Sequence, residues 1–147
     1  MPENVVEILL VEDDPNDMEL TLHALQRYNL TNHLHVVRDG AEALDFLFDT
    51  GVYAQRRIED GPKVVLLDMH LPKVDGLEVL RQVRSDPRTR MLPVVVLTSS
   101  REECDRVESH QLGVNSYIVK PVDFAQFADA VHQLGFHWLL LNQPPTL

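Results

Sequence analysis

Five side chains of this sequence are of types that together can handle a phosphoryl group. They are three carboxylates, a hydroxyl and an amine, contributed by Glu12, Asp13, Asp68, Thr98 and Lys120. An ionised aspartate is already a nucleophile and needs no general base, so Asp68 is the natural acceptor. Phosphoryl transfer requires mainly positioning and neutralisation of the phosphoryl oxygens, which Lys120 and the Thr98 hydroxyl can provide. The residue types therefore predict an acyl phosphate on Asp68.

The three carboxylates need a compensating cation if they share one place. At about 4 Å, each like-charge contact costs roughly 4 kcal/mol at an effective dielectric near 20. Lys120 supplies one positive charge, and a hard divalent cation held by carboxylates, a backbone carbonyl and waters would supply the rest. Such ligands, completed by phosphate, predict Mg²⁺. Zinc is not predicted, because the seven histidines lack a metal-ligand spacing.

Five short apolar runs, each bounded by polar or turn residues, predict five strands. The runs are Val5–Val11, Leu34–Val37, Val64–Leu67, Pro93–Leu97 and Ser116–Val119. Helical spacing lies between and after them, including Glu102–Leu112 and a segment from Phe124 onward. This alternation predicts an α/β fold with a doubly wound five-stranded parallel sheet and helices on both faces. The carboxyl ends of such strands share one edge, so the five reactive side chains should meet there.

Several residues predict where helices begin and end. Asp14 and Asp75 stand where helix N-caps are expected, and Asp123 with Gln126 has the spacing of a capping box. Gly113 should mark the end of the fourth helix. The stretch 49–62 is irregular and predicts an extended connection before the third strand.

The composition excludes several classes of protein. The 147 residues contain no internal repeat and no linker, so one domain is expected over 1–147. The net charge of −10 disfavours a nucleic-acid partner. Neither a leader nor a membrane span is expected, and the lone Cys104 excludes an intrachain disulfide, which suits a reducing cytoplasm.

Four segments together resemble the response-regulator receiver family, and the likeness covers nearly the whole chain. The segments are Leu9–Pro15, Leu66–Gly76, Val96–Ser100 and Tyr117–Pro121. The resemblance implies a flavodoxin-like receiver fold with strand order 2-1-3-4-5. It also implies that the protein is not an enzyme, beyond catalysing its own phosphorylation and dephosphorylation.

The resemblance assigns roles to individual residues. Asp68 would be phosphorylated, and Asp13, Asp68 and the backbone carbonyl of His70 would be Mg²⁺ ligands. Glu12, which stands where many family members have Asp, would reach the metal through water. Lys120 would contact the phosphoryl group.

The family's switch maps onto Thr98 and Tyr117, which would move together on activation. The bond between Lys120 and Pro121 would be cis. His70 and Ser100 occupy positions that tune the lifetime of the phosphate in this family.

A subgroup of the family, the single-domain regulators paired with phytochrome histidine kinases, is similar in four further places. These are Gly51–Tyr53, Leu71–Leu80, Pro121–Phe124 and Phe136–Leu139. The subgroup implies a phytochrome kinase as partner and a homodimer through the fifth helix. The apolar spacing of that helix continues toward Trp138 and Leu141, which makes 135–147 a C-terminal extension and a candidate dimer contact.

Competing functions make different demands on the sequence. A haloacid-dehalogenase phosphatase would require a second Asp where His70 stands, and a flavin carrier would require a Ser/Thr/Gly-rich loop in place of 12–15. A transcription factor would need an output domain, for which too few residues follow the fifth helix. A chemotaxis-type receiver or a phosphorelay intermediate remains open as the alternative role.

Overall fold

The computed structural model describes residues 8–27, 34–54 and 61–134. Within these ranges the chain forms β1 (Ile8–Val11), β2 (Leu34–Val37), β3 (Val64–Asp68), β4 (Val94–Thr98) and β5 (Ser116–Val119). All four strand pairs are parallel, and the sheet order is β2-β1-β3-β4-β5. The predicted fold class and strand order are confirmed.

Helices follow each strand within the same described ranges. They are α1 (Pro15–Gln26), α2 (Gly40–Phe48), α3 (Gly76–Ser85), α4 (Arg101–Glu108) and α5 (Phe124–Leu134). A short 3₁₀ helix, Gly51–Tyr53, lies in the connection between α2 and β3. None of the helices in the described part of the chain is both long and apolar enough to span a membrane.

The sheet separates two apolar cores, because successive side chains of a strand point to opposite faces. Ile8 and Leu10 of β1 pack in the core covered by α1 and α5. Leu9 and Val11 pack in the core covered by α2, α3 and α4. All four β1 residues are fully buried, so both faces of the central strands are covered, as an all-parallel sheet requires.

Three predicted helix starts are found. Asp14 accepts the backbone N–H groups of two first-turn residues of α1, and Asp75 accepts that of Glu78. Asp123 accepts the Gln126 N–H at 2.8 Å. The Gln126 amide does not close a reciprocal box; it bonds the backbone N–H and carbonyl of Val119, which ties α5 to β5.

Some predicted boundaries were wrong. The fourth helix ends at Glu108 rather than at Gly113. Gln111 and Gly113 have φ values of 54° and 66°, so the chain has left the right-handed helix well before the glycine. The fourth strand is Val94–Thr98, and Val5 to Glu7, predicted as strand, lie outside the described residues.

Candidate functional site at the carboxyl edge of the sheet

The parallel sheet delivers one or two reactive side chains from four of its strands to a single edge. Glu12 and Asp13 directly follow β1, Asp68 ends β3, Thr98 ends β4 and Lys120 directly follows β5. The backbone N–H of Lys120 donates to the Thr98 carbonyl at 2.8 Å, which fixes the start of the Lys120 side chain beside β4. The Lys120–Pro121 bond is cis, as the resemblance implied.

Three carboxylates lie close enough to hold one cation. One oxygen from each of Glu12, Asp13 and Asp68 lies within 4.8 Å of the others. Asp13 is exposed, whereas Glu12 and Asp68 are buried. An all-oxygen donor set of this kind fits a hard divalent cation, with room for water on the exposed side.

The backbone after Asp68 belongs to the same site. The N–H of His70 donates to Asp68 Oδ1 at 3.3 Å, which holds the loop after β3 against the carboxylate. The His70 side chain points to α4, where its Nε2 pairs with Glu103. The structure therefore places the His70 main chain at the carboxyl edge of the sheet, whereas the imidazole ring pairs with Glu103 on α4.

Lys120 lies among three carboxylates. Its Nζ is 3.0 Å from an oxygen of Glu12, of Asp17 and of Asp68. Burial alone would lower the pKa of Lys120, but its hydrogen bonds to Asp17 and Glu12 and the charge of Asp68 raise that pKa above its usual value. The ammonium therefore stays charged and can stabilise an anion formed on Asp68.

The crowding of the carboxylates affects the pKa of Glu12. Burial, and then its hydrogen bond and charge interaction with Asp68, raise the pKa of Glu12 to about 7, although Lys120 opposes the shift. Burial is the largest cause of this shift, and the neighbouring Asp68 carboxylate adds to it. A bound cation would offset the second contribution.

The two predicted switch residues lie beside α4. The Thr98 hydroxyl is buried and lies 3.3 Å from the thiol of Cys104. Tyr117 is half-buried on β5, where it pairs with Val96. Burial, together with the nearby charge of Glu108, raises the pKa of Tyr117 to about 12, so the phenol keeps its proton.

The sequence interpretation missed two acidic side chains at this edge. Asp17, in the first turn of α1, binds Lys120, but an acid in a first helical turn usually indicates only a favourable helix-dipole interaction. Glu103 is buried, accepts the Ser99 N–H at 2.9 Å and pairs with His70. The capping-box spacing from Ser100 to Glu103 was a usable signal for the second.

Residues 8–132 match the model of the response regulator receiver domain. The chain belongs to this family, whose members are typically signalling proteins rather than enzymes. The match spans the whole sheet, α1 to α4, most of α5 and every residue of the carboxyl edge.

Several proteins of known structure are similar to this chain. The bacteriophytochrome response regulator RtBRR is 57% identical with a TM-score of 0.87, over 96% of this chain and 84% of its own. Response regulator Rcp1 of Synechocystis sp. is 37% identical over 132 residues, 90% of this chain and 88% of its own. The Mn²⁺-bound structure of Rcp1 has a TM-score of 0.72 at 35% identity, over 96% of this chain and 99% of that one.

A third relative is the phosphorylated cyanobacterial phytochrome response regulator RcpA. It is 38% identical with a TM-score of 0.73, over 96% of this chain and 99% of its own. The chain is thus a response regulator whose solved relatives include regulators of phytochrome signalling.

Proposed function

We propose that this response regulator accepts a phosphoryl group on Asp68 from a phosphohistidine of a kinase. The observation that carries the proposal is the position of the buried Asp68 carboxylate between the Lys120 ammonium and the acidic cluster. In the transfer, an Asp68 oxygen forms the new P–O bond while the P–N bond of the phosphohistidine breaks. The leaving imidazole nitrogen keeps the electron pair of the broken bond.

Mg²⁺ is the proposed cofactor of this site. Asp13, Asp68 and the His70 carbonyl would hold it directly, and Glu12 would reach it through water. When bound, the ion would neutralise phosphoryl oxygens and the crowded carboxylates. The oxygen-only cluster supports a hard divalent cation, and the Mn²⁺-bound Rcp1 is a related example of divalent metal binding.

Lys120 would stabilise the phosphoryl group with its ammonium. Thr98 would exchange its contact with Cys104 for one with a phosphoryl oxygen, and Tyr117 would move with it. Such a two-position element converts a local change in charge into a different surface for partners.

The partner proposed for the transfer is a histidine kinase of the phytochrome class. The names of RtBRR and RcpA support this role over a chemotaxis-type or phosphorelay-intermediate one. Such a kinase would meet the regulator in the cytoplasm. The net charge of −10 argues against a nucleic-acid partner, and self-phosphorylation with dephosphorylation would be the only catalysis.

Exposure to acetyl phosphate and Mg²⁺, followed by intact-mass measurement, tests the acceptor. The parent protein should gain one phosphate, because Asp68 is buried beside both sources of positive charge, and Asp68→Asn should gain none. Asp86→Asn, at the amino end of the sheet, is the matched control and should react like the parent. A folded parent that gains no phosphate and binds no beryllofluoride would refute the proposal.

We also propose that 1–147 acts as one receiver domain that dimerises through α5 and the 135–147 extension. The extension lies outside the described residues, and the proposal is supported by its apolar sequence around Trp138. Sedimentation velocity should show a mass that rises to a dimer with concentration. Trp138→Asp should shift the equilibrium to monomer, and a parent that stays monomeric at all concentrations contradicts the dimer.

A further inference from the structure

The Lys120 ammonium is already surrounded by carboxylates. An ammonium offers three donors, and three carboxylate oxygens lie at 3.0 Å from Nζ, one each on Glu12, Asp17 and Asp68. A phosphoryl oxygen that approaches Lys120 must compete with these carboxylates. Glu12 is fully buried and Asp68 is itself phosphorylated, whereas Asp17 accepts a hydrogen bond from Nζ at 3.0 Å and remains a competing anion after the transfer.

Asp17 is held in place by its helix. Asp14 caps α1 and accepts the N–H of Asp17 at 3.3 Å, so the carboxylate approaches Lys120 from a rigid first turn. Its side chain is 30% exposed and that of Lys120 is 16% exposed. The pair is therefore less screened than an ion pair on the open surface, and breaking it has a measurable effect.

Asp17 also adds charge of the wrong sign for a phosphodonor. It is a fourth carboxylate at the carboxyl edge, beside the cluster of Glu12, Asp13 and Asp68. An approaching phosphoryl group is anionic, so each extra negative charge near Lys120 raises the cost of approach. Donor competition and repulsion act in the same direction.

We infer that Asp17 is a positioning residue that restrains Lys120 and competes with the phosphoryl group for its ammonium, which slows phosphorylation. This inference rests on the proposed function of Asp68. Asp17 would act through Lys120 without touching the reacting atoms. Because Asp17 lies on α1, the reactivity of Asp68 depends on the position of that helix relative to the sheet.

The test compares the rate of phosphorylation by acetyl phosphate, and the affinity for beryllofluoride with Mg²⁺, in the parent and in Asp17→Asn. Loss of the competing charge should raise both by about three- to tenfold, from a Coulomb interaction at partly screened distance. Asp17→Ser, with a side chain favoured near helix starts, should give the same rise. Thermal melting of each variant establishes that the fold is intact.

Two matched variants separate this mechanism from general electrostatics. Glu19→Gln removes one negative charge from an exposed position of the same helix and should change both quantities by less than about twofold. In a Lys120→Met background, Asp17→Asn should give a smaller rise in beryllofluoride affinity than in the parent, because competition for the ammonium is gone and only the repulsion remains.

The inference is overturned if Asp17→Asn reacts at or below the parent rate, if Glu19→Gln gives an equal rise, or if the rise caused by Asp17→Asn is undiminished without Lys120. These outcomes are distinct from failure of the proposed function. In that case the parent itself gains no phosphate and there is no rate to compare.

Discussion

Each end of the sheet partly buries a cation, and the partners of these two cations differ in charge. At the carboxyl end, Lys120 faces three carboxylates. At the amino end, the acceptors of Arg84 of α3 among the residues that the structure describes are all neutral oxygens. The acceptors are the backbone carbonyls of Leu112, Arg90, Leu92 and Gly113 and the side-chain carbonyl of Asn115, at 2.7–3.2 Å.

The pKa shifts of the two cations show what this difference means. Burial lowers the pKa of Arg84, and no carboxylate contributes to its shift. Burial also acts against the charge of Lys120, but hydrogen-bonded carboxylates outweigh it and raise that pKa. The Arg84 guanidinium binds a set of neutral carbonyl oxygens, whereas three carboxylates surround the single positive charge of Lys120. The contacts of Arg84 serve the fold, and those of Lys120 fit the cation and phosphoryl site proposed above.

Arg84→Met should therefore reduce stability and leave phosphorylation unchanged. The substitution removes five hydrogen bonds from a half-buried guanidinium and leaves several carbonyls before β4 and β5 without a partner. We expect the free energy of unfolding in urea to fall by about 2–4 kcal/mol. The phosphorylation rate of the folded protein should stay within about twofold of the parent.

Arg90→Met is the control for this prediction, because Arg90 is exposed at the same end of the sheet. It should change the unfolding free energy by no more than about 0.5 kcal/mol. An Arg84 variant of normal stability that is phosphorylated slowly would contradict the division of labour between the two ends.

The sequence was sufficient for features that depend on position along a strand. Parallel strands set the place of any residue at their carboxyl ends, so Asp68, Thr98 and Lys120 could be predicted to meet without knowledge of packing. The resemblance added the strand order and the cis bond before Pro121. Local caps such as Asp75 were also predictable, because they act within a few residues.

Features that depend on contacts between elements could not be predicted in this way. Asp17 contacts Lys120, which is 103 positions away in the sequence. Arg84 donates to backbone carbonyls in the connections that precede β4 and β5. Gly113 was misread for the same reason. Its left-handed backbone belongs to the segment bonded by Arg84, rather than to the end of α4.

Mg²⁺ should stabilise the protein by binding at the carboxyl end of the sheet alone. We expect this change in unfolding free energy to be smaller than the change caused by Arg84→Met. A ligand that binds only the folded state adds RT ln(1 + [L]/Kd), which is about 1.4 kcal/mol at ten times Kd. Thermal melts of the parent with and without Mg²⁺ should show the higher midpoint with the ion. Asp13→Asn should lose most of this gain, because it removes the exposed carboxylate of the cluster.

Arg84→Met, although less stable, should keep the full Mg²⁺-dependent rise, because its defect lies at the opposite end of the sheet. Asp86→Asn, which removes a carboxylate near that end, is the charge-matched control and should also keep it. An equal rise in Asp13→Asn would mean that the ion acts by screening the net charge of −10 rather than by binding the cluster. The negative charge at the carboxyl end would then be balanced without a specific metal site, and the contrast between the two cations would lose its functional meaning.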